Sequence, residues 1–565
     1  MDTNQVIARA LAGQDIKYCF GIVGVPVIEL GVAFQAEGIN YYGCRNEQAA
    51  SYSAQAVGYL TRRPGICLCV SGPGMIHGMA GVANAWSNGW PMILIAGASD
   101  ISQDGKGGFQ ESNQLVLAQQ YCKYSYRVTQ VKQIPFVIEK AVRMSIQGRP
   151  GPVYIEFPGD ILNQKIPEED VQFLPLFQQV AKSQAPIENI QKSLQLLAEA
   201  KKPLVIIGKG AAYAQSEKEV LDFINTTQLP FLPTPMGKGV ISDKHELCVG
   251  PARSTALGQA DVILLIGARL NWMLHFGQAP RFQKNVKILQ IDILPEEFDQ
   301  NVRGTVNLLG DITSILNQFN QTLKEDTNFR NKFGKNKNQE WKNILADKIA
   351  KNKKVSQDLM NFNGTPMTYY SSLNVINQYL PDKFIYIGEG ANTMDIGRTI
   401  INQIEPRTKL DAGTYGTMGI GLPFAIAAQI VHPERPVIAI MGDSAFGFSG
   451  MEIETAIRYQ LPLIIFIINN NGISMGVEEM PEKKDRPLDL APYQLGVQIR
   501  YEKLAEGLGG RGFLAKNTQE LESVCKQIFS EKLQFTIVNV IIDPFGSRKP
   551  QEHNWLTKEE PKSKL

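Results

Sequence analysis

The chain has no uninterrupted apolar run of about 18 residues, the length a membrane-crossing helix requires. Its amino terminus, "MDTNQVIARALAGQ", lacks the basic segment and apolar stretch of a secretory signal. No membrane span and an intracellular setting are therefore expected. A charge excess of either sign is also missing: 57 Lys and Arg stand against 55 Asp and Glu, for a net +2. With no basic stripe interleaved with aromatics, nucleic acid is not an expected partner. Cysteine is sparse, with seven in 565 residues, and the tightest pair, "CLC", has a single intervening residue instead of the wider spacing of a zinc knuckle. Reduced thiols in the core are expected. Nor is there a compositional sign of disorder, because 44% of residues are apolar and only 20% charged.

What the sequence does have is repeated short Val- and Ile-rich runs: "PGICLCV", "PMILIAGA", "KPLVIIGKG", "DVILLIGARL", "VKILQIDI", "FIYIGEG", "PVIAIMGD" and "PLIIFIINN". Runs of this length, closed by Gly or Asn and followed by amphipathic segments, predict parallel strands buried on both faces. The fold class is α/β with doubly wound parallel sheets. A chain this long exceeds what one core serves. Two polar passages divide it, "NQKIPEEDVQFLPLFQQVAKSQAP" and the lysine-heavy "KEDTNFRNKFGKNKNQEWKNILADKIAKNKK", the second read as a surface helix plus connection. Three α/β modules are predicted, at 1–165, 185–325 and 360–545, with a tail at 546–565.

The chemistry-bearing stretches lie mainly in the last module. "PVIAIM" predicts a strand ending at Gly442, which puts Asp443 at a carboxyl-terminal strand edge, where parallel sheets bind ligands. A helix is expected from about Ser449, and the next strand delivers Asn469, Asn470 and Asn471 to the same edge. One carboxylate, one amide oxygen and a main-chain carbonyl from the Gly472 turn form a hard-oxygen half-shell. It suits a Mg²⁺ that keeps its other places for water and phosphate, and an amide in place of a second acid avoids repelling that phosphate. The same residues also describe a helix cap and a turn, so both readings stay open on the residues alone.

Gly442-Asp443-Ser444 followed by Asn469-Asn470 resembles the GDG(S/A)…NN fingerprint of thiamin-diphosphate-dependent enzymes. The resemblance implies that Asp443, Asn470 and the backbone of Gly472 ligate Mg²⁺ and that Ser444 and Ala445 meet the diphosphate. Ser444 stands where the family more often has glycine. "GTYGTMGIGLPFAIAA" is similar to the segment that props the two cofactor rings, which implies Met418 as the prop and the Gly416 carbonyl as acceptor of the 4′-amino group. "GEGANTMDIGR" is similar to a diphosphate-contacting loop, through Ala391 and Asn392. The family also carries a glutamate on its amino-terminal module, bonded to N1′ of the aminopyrimidine, shortly before an "SGPG" loop. Here that implies Glu47, ahead of Ser71-Gly72-Pro73-Gly74. A carboxyl held in a dry place keeps a proton to share, although a first-turn acid favoured by the helix dipole has the same sequence. With Glu47 and Asp443 on different modules, the resemblance implies the thiamin-diphosphate-dependent decarboxylase type of fold. It also implies active sites between subunits of a homodimer or dimer of dimers.

Along the whole chain the motifs resemble the 2-hydroxyacyl-CoA lyases first, then oxalyl-CoA decarboxylase, and acetolactate synthase more distantly. Cleavage of a 2-hydroxyacyl-CoA to formyl-CoA and an aldehyde one carbon shorter is implied, as in fatty-acid α-oxidation. In "GKGGFQESNQ", Phe109 and Gln110 occupy the place of a Tyr-Glu pair in the decarboxylase. Gln110 is then the catalytic-site partner of a substrate hydroxyl, and Phe109 a border for the acyl chain; a loop merely packed at the surface would use the same residues. The middle module, with "IGKGAAY", "IGARLNW" and "QIDILPEEF", is similar to a pocket that the decarboxylase fills with ADP, implying contacts from Arg269 and Asp292. Ser547, Arg548 and Lys549 are expected either to fold back over a CoA phosphate as a lid or to begin an unstructured stalk. Ser563-Lys564-Leu565 spells a peroxisomal address, with the import receptor as partner. A rival dinucleotide fingerprint at Gly507–Gly512 fails in context, since a helix precedes it and a strand follows. A cofactor-free scaffold would be expected to lack Glu47 or Asp443, and both are present.

Overall fold

The computed structural model describes residues 1–178, 182–474 and 491–548. Its frame is three parallel sheets. In the first, the spatial order of strands is Asn40–Gly43, Tyr18–Gly21, Gly65–Cys69, Met92–Ala98, Pro152–Pro158 and Ser125–Arg127. In the second it is Val306–Leu309, Lys287–Asp292, Val262–Ile266, Pro203–Ile207 and Phe231–Pro233. In the third it is Lys409–Asp411, Ile385–Glu389, Val437–Gly442, Ile464–Asn469, Thr536–Ile541 and Arg511–Ala515. Inner strands such as Met92–Ala98, Val262–Ile266 and Ile464–Asn469 are buried at every position. Helices covering both faces exclude polar alternation there.

Beside its first strand each sheet reverses its direction of growth, and in the first and third sheets the final strand also turns back to lie inside the one before it. The reversals beside the first strands fall between Tyr18–Gly21 and Gly65–Cys69, between Pro203–Ile207 and Val262–Ile266, and between Ile385–Glu389 and Val437–Gly442. Loops leaving the carboxyl ends of such neighbours run in opposite directions and leave a crevice between them.

The modules are tied together by packing. The Glu47–Thr61 helix lies on the Gly421–Val431 helix, with Ser53 Oγ donating to the Pro423 carbonyl at 3.0 Å. Trp90 stacks on Tyr59 with centroids 4.7 Å apart and tilts against Phe424 at 5.5 Å. Gly58 allows the close approach, because a methyl there would overlap the Pro91 carbonyl oxygen. At the start of the same helix the Arg45 N–H donates to Glu452 at 2.9 Å. The central module is fixed to the third by Asp243, which accepts from the Gln403 N–H at 2.7 Å and pairs with Lys238 at 2.9 Å.

The lysine-heavy passage forms a surface helix, Gln339–Met360, which buries only Trp341 and Leu345. The glycines at 507–512 separate a helix, Tyr501–Gly507, from a strand, Arg511–Ala515. One predicted boundary moves: the helix after Val437–Gly442 starts at Asp443, stops at Gly447 and resumes as Glu452–Arg458. The Asp443 carboxylate accepts from the adjacent Ser444 N–H at the helix start, and Gly447 and Gly450 weaken the middle. Among the described residues no helix is long and apolar enough to cross a membrane. All seven cysteines are free thiols, and all but Cys122 are buried.

Candidate active site

The third sheet delivers one group of predicted residues to its crevice. Glu389 pairs with Met441 and Gly442 with Ile468 in register, so the chain leaves three adjacent strands side by side at Gly390, Asp443 and Asn470. Asp443 is 2% exposed, and its carboxylate accepts from Ser444 N–H at 2.9 Å and Gly472 N–H at 3.1 Å. Asn470 Oδ1 also accepts from Gly472 N–H, at 3.2 Å. Burial pushes the Asp443 pKa up to about 7, against the pull of these main-chain donors.

The three asparagines have separate tasks. Asn469 Nδ2 donates to Asn539 Oδ1 at 3.2 Å, tying the strand to its neighbour, and its Oδ1 accepts from Asn471 N–H at 3.1 Å. Asn471 takes a left-handed φ of +63° and accepts from Gln498 N–H at 2.7 Å. Asn470 is left facing Asp443's side of the turn, with Nδ2 donating to the Tyr369 hydroxyl at 3.0 Å.

The chemistry of this donor set fits a hard cation. No group of three or more His, Cys, Asp or Glu able to hold a metal occurs among the described residues. The Asp443 pocket instead combines one buried carboxylate, one amide oxygen and the main chain of a tight turn, as Mg²⁺ with retained phosphate ligands requires. Among the described residues no ion pair reaches Asp443.

The neighbouring segments meet at the same edge. Asn392 is buried and donates to the Ser474 carbonyl at 2.9 Å, while Ala391 is exposed. Ser444 is half-buried and Ala445 buried. Gly416 takes φ +68° with open space around it, and Met418 is half-buried beside it. The turn that carries them is anchored on both sides. Thr417 Oγ1 donates to Asn84 Oδ1 at 2.9 Å, and the Thr414 carbonyl accepts from Trp272 Nε1 at 2.7 Å.

A second group forms on the first module. Glu47 opens the Glu47–Thr61 helix behind Asn46, which caps it by accepting from Gln48 N–H at 2.7 Å. The Glu47 side chain is 13% exposed and lies 3.2 Å from His77 Nδ1. The Ser71–Gly74 loop lies beside it, and a methyl on Gly74 would stand 3.3 Å from Glu47 Oε1. Gln110 joins this group: its Oε1 accepts from Ser71 Oγ at 3.3 Å and its backbone sits at φ +56°. The Glu111 carboxylate shapes that loop by accepting from the N–H groups of Gly105, Gly107 and Gly108 at 2.6, 2.9 and 3.0 Å. Phe109 points away from packing, 69% exposed. Among the described residues no hydrogen bond or ion pair joins Glu47 or Gln110 to Asp443, Asn470 or Gly472.

The central sheet's crevice opens on a cavity of about 700 Å³ lined by Gly208, Lys209, Gly267, Arg269 and Asp292. Arg269 donates to the Ser87 carbonyl at 2.9 Å and to Thr414 Oγ1 at 3.2 Å. Asp292 accepts from Leu294 N–H at 3.0 Å, and burial raises its pKa to about 6. Ser547 and Arg548 are the last two described residues; the strand before them leads Asp543 N–H to the Met367 carbonyl at 2.6 Å, and the Arg548 charge acts on Tyr369. Lys549 and Ser563-Lys564-Leu565 lie outside the described residues.

Three participants are absent from the sequence expectations. Tyr369 is buried with its pKa pushed up to about 12 by burial and the Asp443 charge, and it stands far from every motif in sequence. His77 follows the "SGPG" loop at helical spacing, without a motif of its own. Glu389 sits inside "GEGANTMDIGR", where an acid closing a buried strand was the available signal.

Comparison with known proteins matches all three modules. The family described as Thiamine pyrophosphate enzyme, N-terminal TPP binding domain, covers residues 1–117; the corresponding central domain covers 190–319 and the C-terminal TPP binding domain 388–540. 2-hydroxyacyl-CoA lyase 1 of Homo sapiens is 44% identical over 98% of this chain and 96% of its own length. 2-hydroxyacyl-CoA lyase of Arabidopsis thaliana is 39% identical over 97% of the chain and 96% of its own. Oxalyl-CoA decarboxylase of Escherichia coli K12 is also 39% identical, over 99% and 98%.

Proposed function

Because the chain belongs to the 2-hydroxyacyl-CoA lyase family of thiamine pyrophosphate enzymes, we propose that it cleaves a 2-hydroxyacyl-CoA between its first two carbons. The products are formyl-CoA and an aldehyde one carbon shorter. The observation that carries this at the site is the buried Asp443–Asn470–Gly472 cluster, a hard-oxygen pocket whose carboxylate no ion pair reaches among the described residues.

Bound thiamin diphosphate supplies the electron sink that the carbon–carbon cleavage needs. The chain's own groups hold and orient. Asp443, Asn470 and the Gly472 carbonyl would bind Mg²⁺, and Ser444, Ala445, Ala391 and Asn392 would line the diphosphate. The Gly416 carbonyl would accept from the 4′-amino group, with Met418 propping the rings. Glu47 would hold a proton on N1′, oriented by His77. Gln110 would bond the substrate's 2-hydroxyl, and Phe109 would border its acyl chain. A small cleft lined by Arg253, Ser254, His275 and Arg281 offers two guanidinium groups suited to CoA phosphates, and Ser547 and Arg548 would fold back over a CoA phosphate as a lid.

Glu47 serves the Asp443 pocket of a second subunit in this scheme. Supporting it, Ile76, Tyr415, Phe448, Met451 and Ile473, beside the two half-sites, are apolar yet exposed in the single chain. The 700 Å³ cavity, with Arg269 and Asp292 in its wall, is of a size and polarity that suits ADP. The final Ser-Lys-Leu would direct the chain to peroxisomes. Light scattering checks the dimer, calorimetric titration with ADP checks the cavity, and fluorescent fusions with and without the last three residues check the address; a monomer, no heat of binding or unchanged location would refute each in turn.

Incubation with a 2-hydroxyacyl-CoA and with oxalyl-CoA, with aldehyde, formyl-CoA and carbon dioxide measured, tests the reaction itself. Aldehyde and formyl-CoA in equal amounts are expected from the first, and little gas from the second. Abundant carbon dioxide from oxalyl-CoA with no aldehyde from the hydroxyacyl thioester would instead assign the decarboxylase.

A further inference from the structure

Glu389 closes the Ile385–Glu389 strand with no exposed surface, and none of the roles assigned above uses it. Its carboxylate accepts three main-chain hydrogen bonds, from Gly419 N–H, from Ile420 N–H at 3.1 Å and from Gly421 N–H at 2.8 Å. These are the residues directly after Met418, at the start of the Gly421–Val431 helix. In the other direction the chain passes straight from Glu389 into Gly390, Ala391 and Asn392. Gly390, at φ +88°, sits so close to the next strand that a methyl on it would stand 3.2 Å from the Gly442 nitrogen. One side chain therefore joins the 416–421 segment to the 390–392 segment.

The turn it holds needs an external anchor. Gly413, Gly416 and Gly419 adopt φ of +60°, +68° and +87°, and glycines of this kind leave many alternative backbone paths open. The early part of the turn is fixed by Asp411, which accepts from Gly413 N–H at 3.0 Å, and by the Trp272 and Asn84 contacts. The part after Met418 is fixed by Glu389. Capping a helix does not itself call for an acid in a dry place, because Ser or Asn does so without burying a charge. Among the described residues no ion pair reaches Glu389, and burial raises its pKa to about 7 against the pull of the three amides.

We propose that Glu389 is a positioning residue that sets the Gly416–Met418 turn relative to the Ala391–Asn392 loop, and so fixes the ring end of the cofactor relative to its diphosphate end. It rests on the cofactor assignment above. The test is Glu389→Gln in the full chain, whose amide nitrogen opposes a main-chain N–H. Apo protein is titrated with thiamin diphosphate plus Mg²⁺ and, separately, with inorganic diphosphate plus Mg²⁺. The thiamin diphosphate Kd is expected to rise about 10-fold or more, as for loss of an orienting partner, while that of inorganic diphosphate changes by less than about 2-fold. The near-ultraviolet circular dichroism of the bound cofactor's amino and imino tautomers is expected to shift, and Glu389→Asp to restore part of the affinity. Equal losses for both ligands, or no loss for either, would overturn the proposal alone. A wild-type chain that binds no thiamin diphosphate would overturn the cofactor assignment and the proposal with it. The apo melting temperature reports folding; if Glu389→Gln fails it, Glu389→Asp is titrated the same way, with the same inequality expected.

Discussion

Asp443→Asn is expected to lower kcat/KM by roughly 10³-fold or more at fixed Mg²⁺ and thiamin diphosphate, because it removes the sole carboxylate of the donor set. The substitution keeps shape and one oxygen, so the loss is of cation binding and not of packing. It turns an NH₂ toward one of two N–H groups, Ser444 or Gly472, which now each find an Asp443 oxygen, at 2.9 and 3.1 Å, and the retained oxygen still accepts from the other. Stability should move the other way. Burial raises the Asp443 pKa from 3.8 to about 7, so between those values the folded apo protein binds more protons than the unfolded chain. Its stability then falls as pH rises through that window and stays low above it. The metal-free variant should therefore melt no lower than metal-free wild type above pH 7, whereas adding Mg²⁺ and cofactor should stabilise only the wild type. Thermal scans of both proteins with and without ligand, and calorimetric Mg²⁺ titration, decide it. A variant that still shows a ligand-dependent rise in melting temperature would remove Asp443 from the metal site.

Glu47→Gln is expected to lower kcat by roughly 10² to 10⁴-fold, the range of a lost acid–base group, with thiamin diphosphate still bound. The amide can occupy the 13%-exposed slot beside His77 and still accept from it, but it cannot exchange a proton. The rate at saturating cofactor gives the first number. Deuterium exchange at the thiazolium carbon, followed by proton NMR of quenched samples, gives a second that is independent of substrate. Both should slow together. A variant within about 10-fold of wild type in both would leave Glu47 as a helix-start acid and nothing more.

The strands that organise the molecule were readable because a run buried on both faces has no competing pattern. "PMILIAGA", "DVILLIGARL" and "PLIIFIINN" each contain a central strand with no exposed position. Short edge strands such as Ser125–Arg127 and Lys409–Asp411 left no such trace, since three residues at a sheet margin need no continuous apolar run. The convergence of Asp443 and Asn470 was legible for a related reason: both follow long buried strands that the sheet sets side by side. The break after Gly447 was not, because Gly447 and Gly450 lower helix propensity without fixing where a helix stops. Tyr369 could not be found by spacing at all, as only the fold brings its hydroxyl to Asn470. Glu389 was in plain view yet silent, because a strand-closing acid acquires its three amide partners only when a distant glycine turn folds onto it.

Glu47 with Gln110 and Asp443 with Asn470 form two clusters that do not bond each other within the chain. If the crevice pairs one cluster from each of two copies, damage to the two clusters is complementable. Mixed after denaturation and refolding, chains inactivated at Glu47 and chains inactivated at Asp443 would assemble hybrids in which one crevice inherits neither lesion. By two-fold symmetry and random pairing the blend of two dead proteins would recover about a quarter of full activity, whereas a crevice built inside one chain would stay silent at every mixing ratio.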